Sequence, residues 1–188
     1  MPLDPLLIDL PEHLDGPRVR LRPYRAGDGA ALHEAVNEDV AHLEPYMVWA
    51  RKHTTLEESE LVVRRLRAAW EARTDMTMGI YDRETGRFLG GTGLHRIDWD
   101  VRSFEIGYWI RKSAEGKGYV TEAVQLLTDF AFGELEANRI FLRVSTENAK
   151  SLAIPERLGF EREGTLRKSI RDSERRLHDL VMFAKVRD

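Results

Sequence analysis

The stretch from Phe104 to Ala131 constrains this chain more than any other. Phe104-Glu105-Ile106-Gly107-Tyr108-Trp109-Ile110 has the length and make-up of a strand, and Gly116 and Gly118 follow in a short polar loop. Val120, Ala123, Val124, Leu127 and Ala131 then recur at i, i+3, i+4, i+7 and i+11, the spacing that buries one face of a helix. A strand passing into a buried helix through a glycine loop makes the chain an α/β protein, and the remaining periodicities agree.

Arg18-Val19-Arg20-Leu21-Arg22 alternates basic and apolar residues as a half-buried strand does. A short helix starts at Asp28 and runs through Ala30, Leu32, Ala35 and Val36. Asn37 to His53 has no clear period. Thr55-Leu56-Glu57-Glu58 is a capping box for a helix whose apolar stripe is Val62, Val63, Leu66, Ala69 and Trp70. Met76–Tyr81 and Phe88–Ile97 flank a polar turn and predict a hairpin. Arg139–Ser145 alternates again, and a helix from about Asn148 to Leu158 stops at Gly159, a natural left-handed cap. Strands around Phe160–Leu166 and Leu177–Val186 complete the pattern. Residues 1–17 carry four of the seven prolines and predict an irregular arm, which leaves residues 18–188 as a single domain.

Composition narrows function mainly by exclusion. With no cysteine there is no disulfide, thiolate metal site or cysteine nucleophile. The six histidines lack His-x-His or His-Glu-x-x-His spacing, so no metal site is expected. A net charge of −3 argues against generic nucleic-acid binding, and the run Arg167 to Arg176 interleaves acids among its bases and predicts a solvated hairpin. No stretch approaches the roughly 20 apolar residues of a membrane span. No positively charged start precedes a long apolar run either. A soluble, cytoplasmic protein is expected.

The glycine loop is the strongest chemical signal. Glycines at a helix start let backbone N–H groups approach an anion, and the helix terminus adds partial positive charge. Lys112 and Lys117 can add cationic contacts to phosphate. The spacing matches neither a Walker loop nor the dinucleotide fingerprint, whose third glycine is replaced by Thr121 after Val120.

In order along the chain, several pieces resemble the GNAT superfamily of acyl-CoA-dependent N-acyltransferases, and within it the Rim-type group that acetylates protein N-termini. They are the opening strand, Glu105-Ile106-Gly107-Tyr108-Trp109-Ile110, Gly116-Lys117-Gly118-Tyr119, Thr121-Glu122-Ala123, Asn148-x-x-Ser151, Arg157-Leu158-Gly159-Phe160-x-x-Glu163-Gly164 and the His178-Asp179 strand. Glu115 and Val120 depart from the family pattern, and Glu115 sets a negative charge close to where pyrophosphate would lie. The resemblance implies a mixed, mostly antiparallel sheet, splayed at the cofactor site, with helices on both faces. It implies acetyl-CoA as cosubstrate, with the backbone of Tyr108, Trp109 and Ile110 pairing with the pantetheine arm. Gly116, Lys117, Gly118, Tyr119, Val120 and Thr121 would hold the pyrophosphate. Asn148 would bond the arm, or cap its own helix. The resemblance also allows a homodimer.

With no thiol, the acetyl group must pass directly from thioester to amine. That needs a neutral amine, donors for developing charge and support for the departing thiolate. An α-amine, with pKa about 8, is neutral at pH 7 several-hundredfold more often than a lysine at about 10.4. Glu105 is the candidate base, with pairing to an arginine as its structural alternative. The thiolate acid of many family members falls at Pro155 here, so the resemblance moves that role to Ser151, against the alternative of a serine bonded back to a helix carbonyl. Tyr46 and Trp49 are candidates for an acceptor pocket, or for core. The expected acceptor is a protein N-terminal α-amine such as that of a ribosomal protein. The rivals are a polyamine, amino acid or aminoglycoside, for which Glu34, Glu38, Asp39 and Glu44 would supply carboxylates, and a non-catalytic acyl-CoA-binding protein.

Overall fold

The computed structural model describes residues 4–187. One sheet of eight strands organises them: β1 (Leu14–Asp15), β2 (Val19–Pro23), β3 (Met76–Asp82), β4 (Phe88–Asp98), β5 (Ser103–Ile110), β6 (Arg139–Ser145), β7 (Glu161–Arg171) and β8 (Leu177–Val186). Their order across the sheet is β1-β2-β3-β4-β5-β6-β8-β7, and β5 with β6 is the one parallel pair among seven neighbours. The helices are α1 (Gly29–Asn37), α2 (Val40–Leu43), α3 (Leu56–Glu71), α4 (Tyr119–Gly133) and α5 (Ala149–Arg157).

Period-two alternation gives each strand two distinct faces. In β2, Val19 and Leu21 are buried while the alternating Arg20 and Arg22 are not. Val19 and Leu21 join Met78, Ile80, Leu94, Phe104, Ile106, Ile140 and Leu142 in a core that α4 closes with Ala123, Val124, Leu127 and Ala131. A second core holds Tyr24, Tyr81 and Phe88 against Leu32, Ala35 and Val36 of α1 and Val63 of α3. The expected capping box opens α3, with the Thr55 hydroxyl accepting from Glu58 N–H and the Glu58 carboxylate accepting from Thr55 N–H.

The arm is less irregular than its prolines suggest. Leu14 and Asp15 pair with Leu21 and Arg20, and Ile8, Leu10 and Leu14 pack on the larger core. The first three residues of the predicted arm, and Asp188 at the far end of the predicted domain, lie outside the described residues. In β4, a Cβ on Gly91 would sit 2.5 Å from the Trp109 indole nitrogen, and one on Gly90 would collide with the Trp109 carbonyl. This glycine-rich strand thus admits β5 and its tryptophan at close range.

Candidate active site

Where β5 meets β6 the sheet opens. The parallel ladder covers only Ser103–Glu105 against Arg139–Phe141. Beyond it, Ile106–Ile110 pairs with β4 and Leu142–Ser145 with β8, so each strand turns an unpaired edge toward the gap. An unpaired edge can accept the amides of an extended ligand, and the backbone of Tyr108, Trp109 and Ile110 lies along it.

The glycine loop stands at the end of that gap. Gly116 and Gly118 have φ of +74° and +81°, in the left-handed region where a side chain is strained. Gly118 is the N-cap of α4 and no side chain caps the helix, so the N–H groups of its first turn face outward as an anion site requires. The loop is braced on both sides. Glu122 of α4 accepts from the Arg18 and Val19 N–H groups at 2.6 and 3.0 Å and from Arg18 Nε at 2.9 Å, while Arg18 Nη1 donates to the Lys117 carbonyl at 2.9 Å. At the loop's root Arg111, only 3% exposed, donates to Glu34 and Glu38 at 2.6 Å each, and Glu38 also accepts the Ser113 N–H at 2.6 Å. Tyr119 donates to Asp82, and the Thr121 hydroxyl accepts from Arg157. Val120 packs on the core.

Glu115 does not present a free charge. Its carboxylate accepts Lys150 Nζ of α5 at 2.9 Å, with Lys112 at 3.5 Å, and the Lys150 bond and nearby cations hold its pKa below the usual range. The departure from family pattern is thereby neutralised, and it ties the loop to α5. Lys112 is spent on this pair as well as standing beside the loop.

Asn148 caps α5, its Oδ1 accepting the Ser151 N–H at 3.1 Å; this uses the oxygen and leaves the amide nitrogen for another partner. Ser151 does not bond back to its helix. Its hydroxyl donates to the Tyr108 phenol oxygen at 3.0 Å, and that phenol donates to the Ser151 carbonyl at 3.0 Å. Burial pushes the Tyr108 phenol up to about 12, so it stays protonated at neutral pH. The sequence points only to the backbone of Tyr108; the phenol's contact across the split sheet depends on the tertiary fold.

Glu105 takes its structural alternative. Both its oxygens accept from Arg143, at 2.9 and 3.0 Å, and Arg96 Nε lies 3.0 Å away. Arg143 lines the cleft next to Ser151, Asn148 and Tyr46, whereas Glu105 does not. Of the two aromatic candidates, Tyr46 reaches the cleft and donates to the Glu147 carbonyl at 3.3 Å. Trp49 belongs instead to the second core, edge-on to Trp109 at 5.4 Å and to His53 at 5.6 Å. The cleft, about 120 Å³, is also lined by His178, by Asp172 of the expected solvated hairpin, and by Glu147, for which the sequence offers no signal.

A sheet that splits beside an uncapped glycine-led helix, with Ser151 bonded to Tyr108 across the gap, fits an acyl-CoA-dependent acyltransferase. The family of GNAT acetyltransferase domains matches residues 18–161, and the chain belongs to it, in the Rim-type group. It is 32% identical over 88% of its length to YdaF of Bacillus subtilis (90% of that chain), provisionally named a ribosomal N-acetyltransferase. It is 28% identical over 79% of its length to the spermidine N(1)-acetyltransferase of Escherichia coli (75% of that chain). Among solved structures, Mycobacterium smegmatis RimJ in complex with CoA-disulfide superposes with a TM-score of 0.83 at 28% identity, covering 98% of this chain and 90% of that one. The chain is an acetyl-CoA-dependent N-acetyltransferase, and acetyl-CoA is its cosubstrate. Among the described residues no helix is long and apolar enough to cross a membrane.

Proposed function

We propose that this enzyme acetylates the α-amine of a protein N-terminus, with a ribosomal protein as the candidate acceptor. One observation carries the choice over a polyamine. The four carboxylates that the sequence offers a polycation are engaged within the chain: Glu34 and Glu38 by Arg111, Asp39 as the cap accepting His42 N–H at 3.1 Å, and Glu44 by Arg51. A polyamine would have to displace these partners, whereas a single α-amine needs one polar contact and no acidic tract. The names of YdaF and of the Escherichia coli ribosomal-protein-serine acetyltransferase, 28% identical over 53% of this chain, support the same acceptor class.

In this reading the residues divide the work by position. Gly116 to Thr121 and the start of α4 hold pyrophosphate through backbone N–H groups, with Lys112 and Lys117 beside them. Tyr108, Trp109 and Ile110 offer backbone to the pantetheine arm, and the free amide nitrogen of Asn148 faces it from α5. Acetyl-CoA brings an activated acetyl thioester. Ser151 donates to the sulfur as it leaves, its one hydroxyl proton turning away from the Tyr108 oxygen on which it rests. Tyr46 borders the acceptor. Glu105 fixes Arg143 on the cleft wall, and its sequence-based role as proton acceptor is separable by mutation.

The test is thiol release and product mass with acetyl-CoA and a panel of amines: peptides starting with Ala or Ser, the same peptides with blocked N-termini, free lysine and spermidine. Acetylation of the free α-amine peptides alone is expected. Faster turnover of spermidine than of any peptide would overturn the acceptor assignment.

A further inference from the structure

The cleft contains groups that thioester handling leaves unused. It is closed by the β7–β8 turn, which carries Asp172, and by the start of β8, which carries His178, its side chain 12% exposed. His178 Nε2 lies 2.8 Å from Asp172 Oδ2, and Nδ1 lies 3.1 Å from Glu147 Oε1. Asp172 is fixed in place: Oδ1 accepts the Glu174 and Arg176 N–H groups at 2.9 and 2.8 Å, and Oδ2 also accepts Arg176 Nε at 2.8 Å. Burial opposes its ionisation, but the bonds from His178 and Arg176 hold its pKa far below the usual carboxylate range. Glu147, on the loop between β6 and α5, has a side chain 64% exposed and can swing aside. The imidazole lies between the two carboxylates, one at each nitrogen, so the three side chains do not converge as a metal site would.

One nitrogen is therefore anchored to a carboxylate that stays ionised, and the other is directed at a movable group in the cleft. That is the arrangement of a base held in a fixed tautomer by an orienting carboxylate. The remaining charges around it are Arg143 from β6, paired to Glu105, and Arg171 and Arg176 from the end of β7 and the turn. The bond to Asp172, helped by Glu147, outweighs the burial of the ring and raises the imidazole above its ordinary value.

We propose that His178 takes the proton from the acceptor amine, with Asp172 as its positioning residue and Glu147 as the carboxylate that first meets the incoming ammonium. The proposal rests on amine acetylation at this cleft and not on which amine is used. The ammonium first gives one proton to water; as the neutral amine nitrogen then bonds to the acetyl carbon and the carbon–sulfur bond breaks, a second proton passes to His178 Nδ1. The sulfur departs as thiolate on the Ser151 hydroxyl. It then takes a proton from water, and His178 returns one to water, so the reaction balances as amine plus thioester to amide plus thiol.

Single-turnover transfer at saturating acetyl-CoA tests this, using the best amine from the panel above and a range from about pH 6 to about pH 9.5. A parallel NMR titration follows the His178 ring in the free protein. His178→Gln keeps an amide N–H for Asp172 but removes the base. It should lower transfer roughly 100-fold and abolish the acid limb, with acetyl-CoA affinity near wild type. Asp172→Asn removes the anion that raises the imidazole, so the ring titration and the acid limb should both move to lower pH. Glu105→Gln should keep the limb. Wild-type transfer with a parallel pH profile in His178→Gln, or a limb that moves with Glu105→Gln instead, overturns the proposal. If His178→Gln fails to fold, the Asp172→Asn shift decides: a limb that stays put while the ring titration moves is fatal. Turnover of another amine but no peptide sinks the N-terminal reading and leaves His178 to be judged on that amine; turnover of none sinks both.

Discussion

Two hydroxyls across the split sheet show how much depends on single contacts. Ser151 lies one helical turn from Asn148, and its hydroxyl meets Tyr108 and not a carbonyl of its own helix. A serine bonded back to its helix would be replaced by alanine without loss. A serine whose hydroxyl rests on a phenol, outside its helix's own bonding, can turn that proton to departing charge. Ser151→Ala should therefore lower kcat about tenfold to a hundredfold with acetyl-CoA affinity nearly unchanged, the low end for a lost donor because a thiolate leaves readily. Tyr108→Phe should lower kcat less, since it frees the Ser151 hydroxyl to rotate but leaves it present. Single-turnover kinetics at saturating acetyl-CoA checks both, and full activity in Ser151→Ala would remove it from the chemistry.

At the scale of elements, the Arg111 cluster joins three parts that are distant in sequence. Its guanidinium, almost wholly buried, binds Glu34 and Glu38 of the α1 region, and Glu38 reaches on to the Ser113 N–H at the root of the glycine loop. Burial works against the Glu38 charge, but the Ser113 and Arg111 bonds prevail and hold its pKa below the ordinary range. Leaving a buried charge without its partner typically costs about 3–5 kcal/mol. Glu38→Ala should cost less, about 2 kcal/mol, because Glu34 and the Phe88 carbonyl still face the guanidinium. Loosening the loop's root should also weaken acetyl-CoA binding, although Glu38 lies outside the loop itself. Urea unfolding and calorimetry measure the two effects; an unchanged midpoint and affinity would mean that the cluster braces nothing.

For the molecule as a whole, two cores on opposite faces of one sheet carry the stability, and the site proposed for the cosubstrate lies where that sheet fails to close. Ligand binding to this gap should stabilise the fold. At a hundred times its Kd, a ligand adds about 2.7 kcal/mol, or roughly 5–10 °C in Tm for a chain of this size. Acetyl-CoA should produce such a rise in wild type. Gly118→Val should abolish most of it, since φ of +81° strains any branched residue and the added Cβ would stand 3.2 Å from Arg18 Nη2. The α4 core contacts would keep the variant folded. Lys117→Ala should keep most of the rise, because exposed charge contacts are worth under about 1 kcal/mol. An equal shift in wild type and Gly118→Val would move the pyrophosphate site away from this loop.

Much of this was legible in one dimension because it depends on local periodicity. The alternation at Val19 and Leu21, the stripe from Val120 to Ala131, the Thr55–Glu58 box and Gly159 as a left-handed cap, with φ of +70°, are set by residues within a turn or two of each other. The glycine loop belongs with them, since positive φ and an uncapped helix start are local properties. What the sequence could not decide were pairings across the chain. Glu105 has Arg143 only because β5 and β6 run side by side for three residues. Tyr46 reaches the cleft while Trp49, three residues later, enters the second core with Trp109. Asp172, His178 and Glu147 come together only when the β7–β8 turn folds over the β6–α5 loop. The local pattern thus determined the elements and the glycine loop. The tertiary structure alone decided which carboxylate meets which cation and which aromatic faces solvent, because such contacts join residues far apart in the chain.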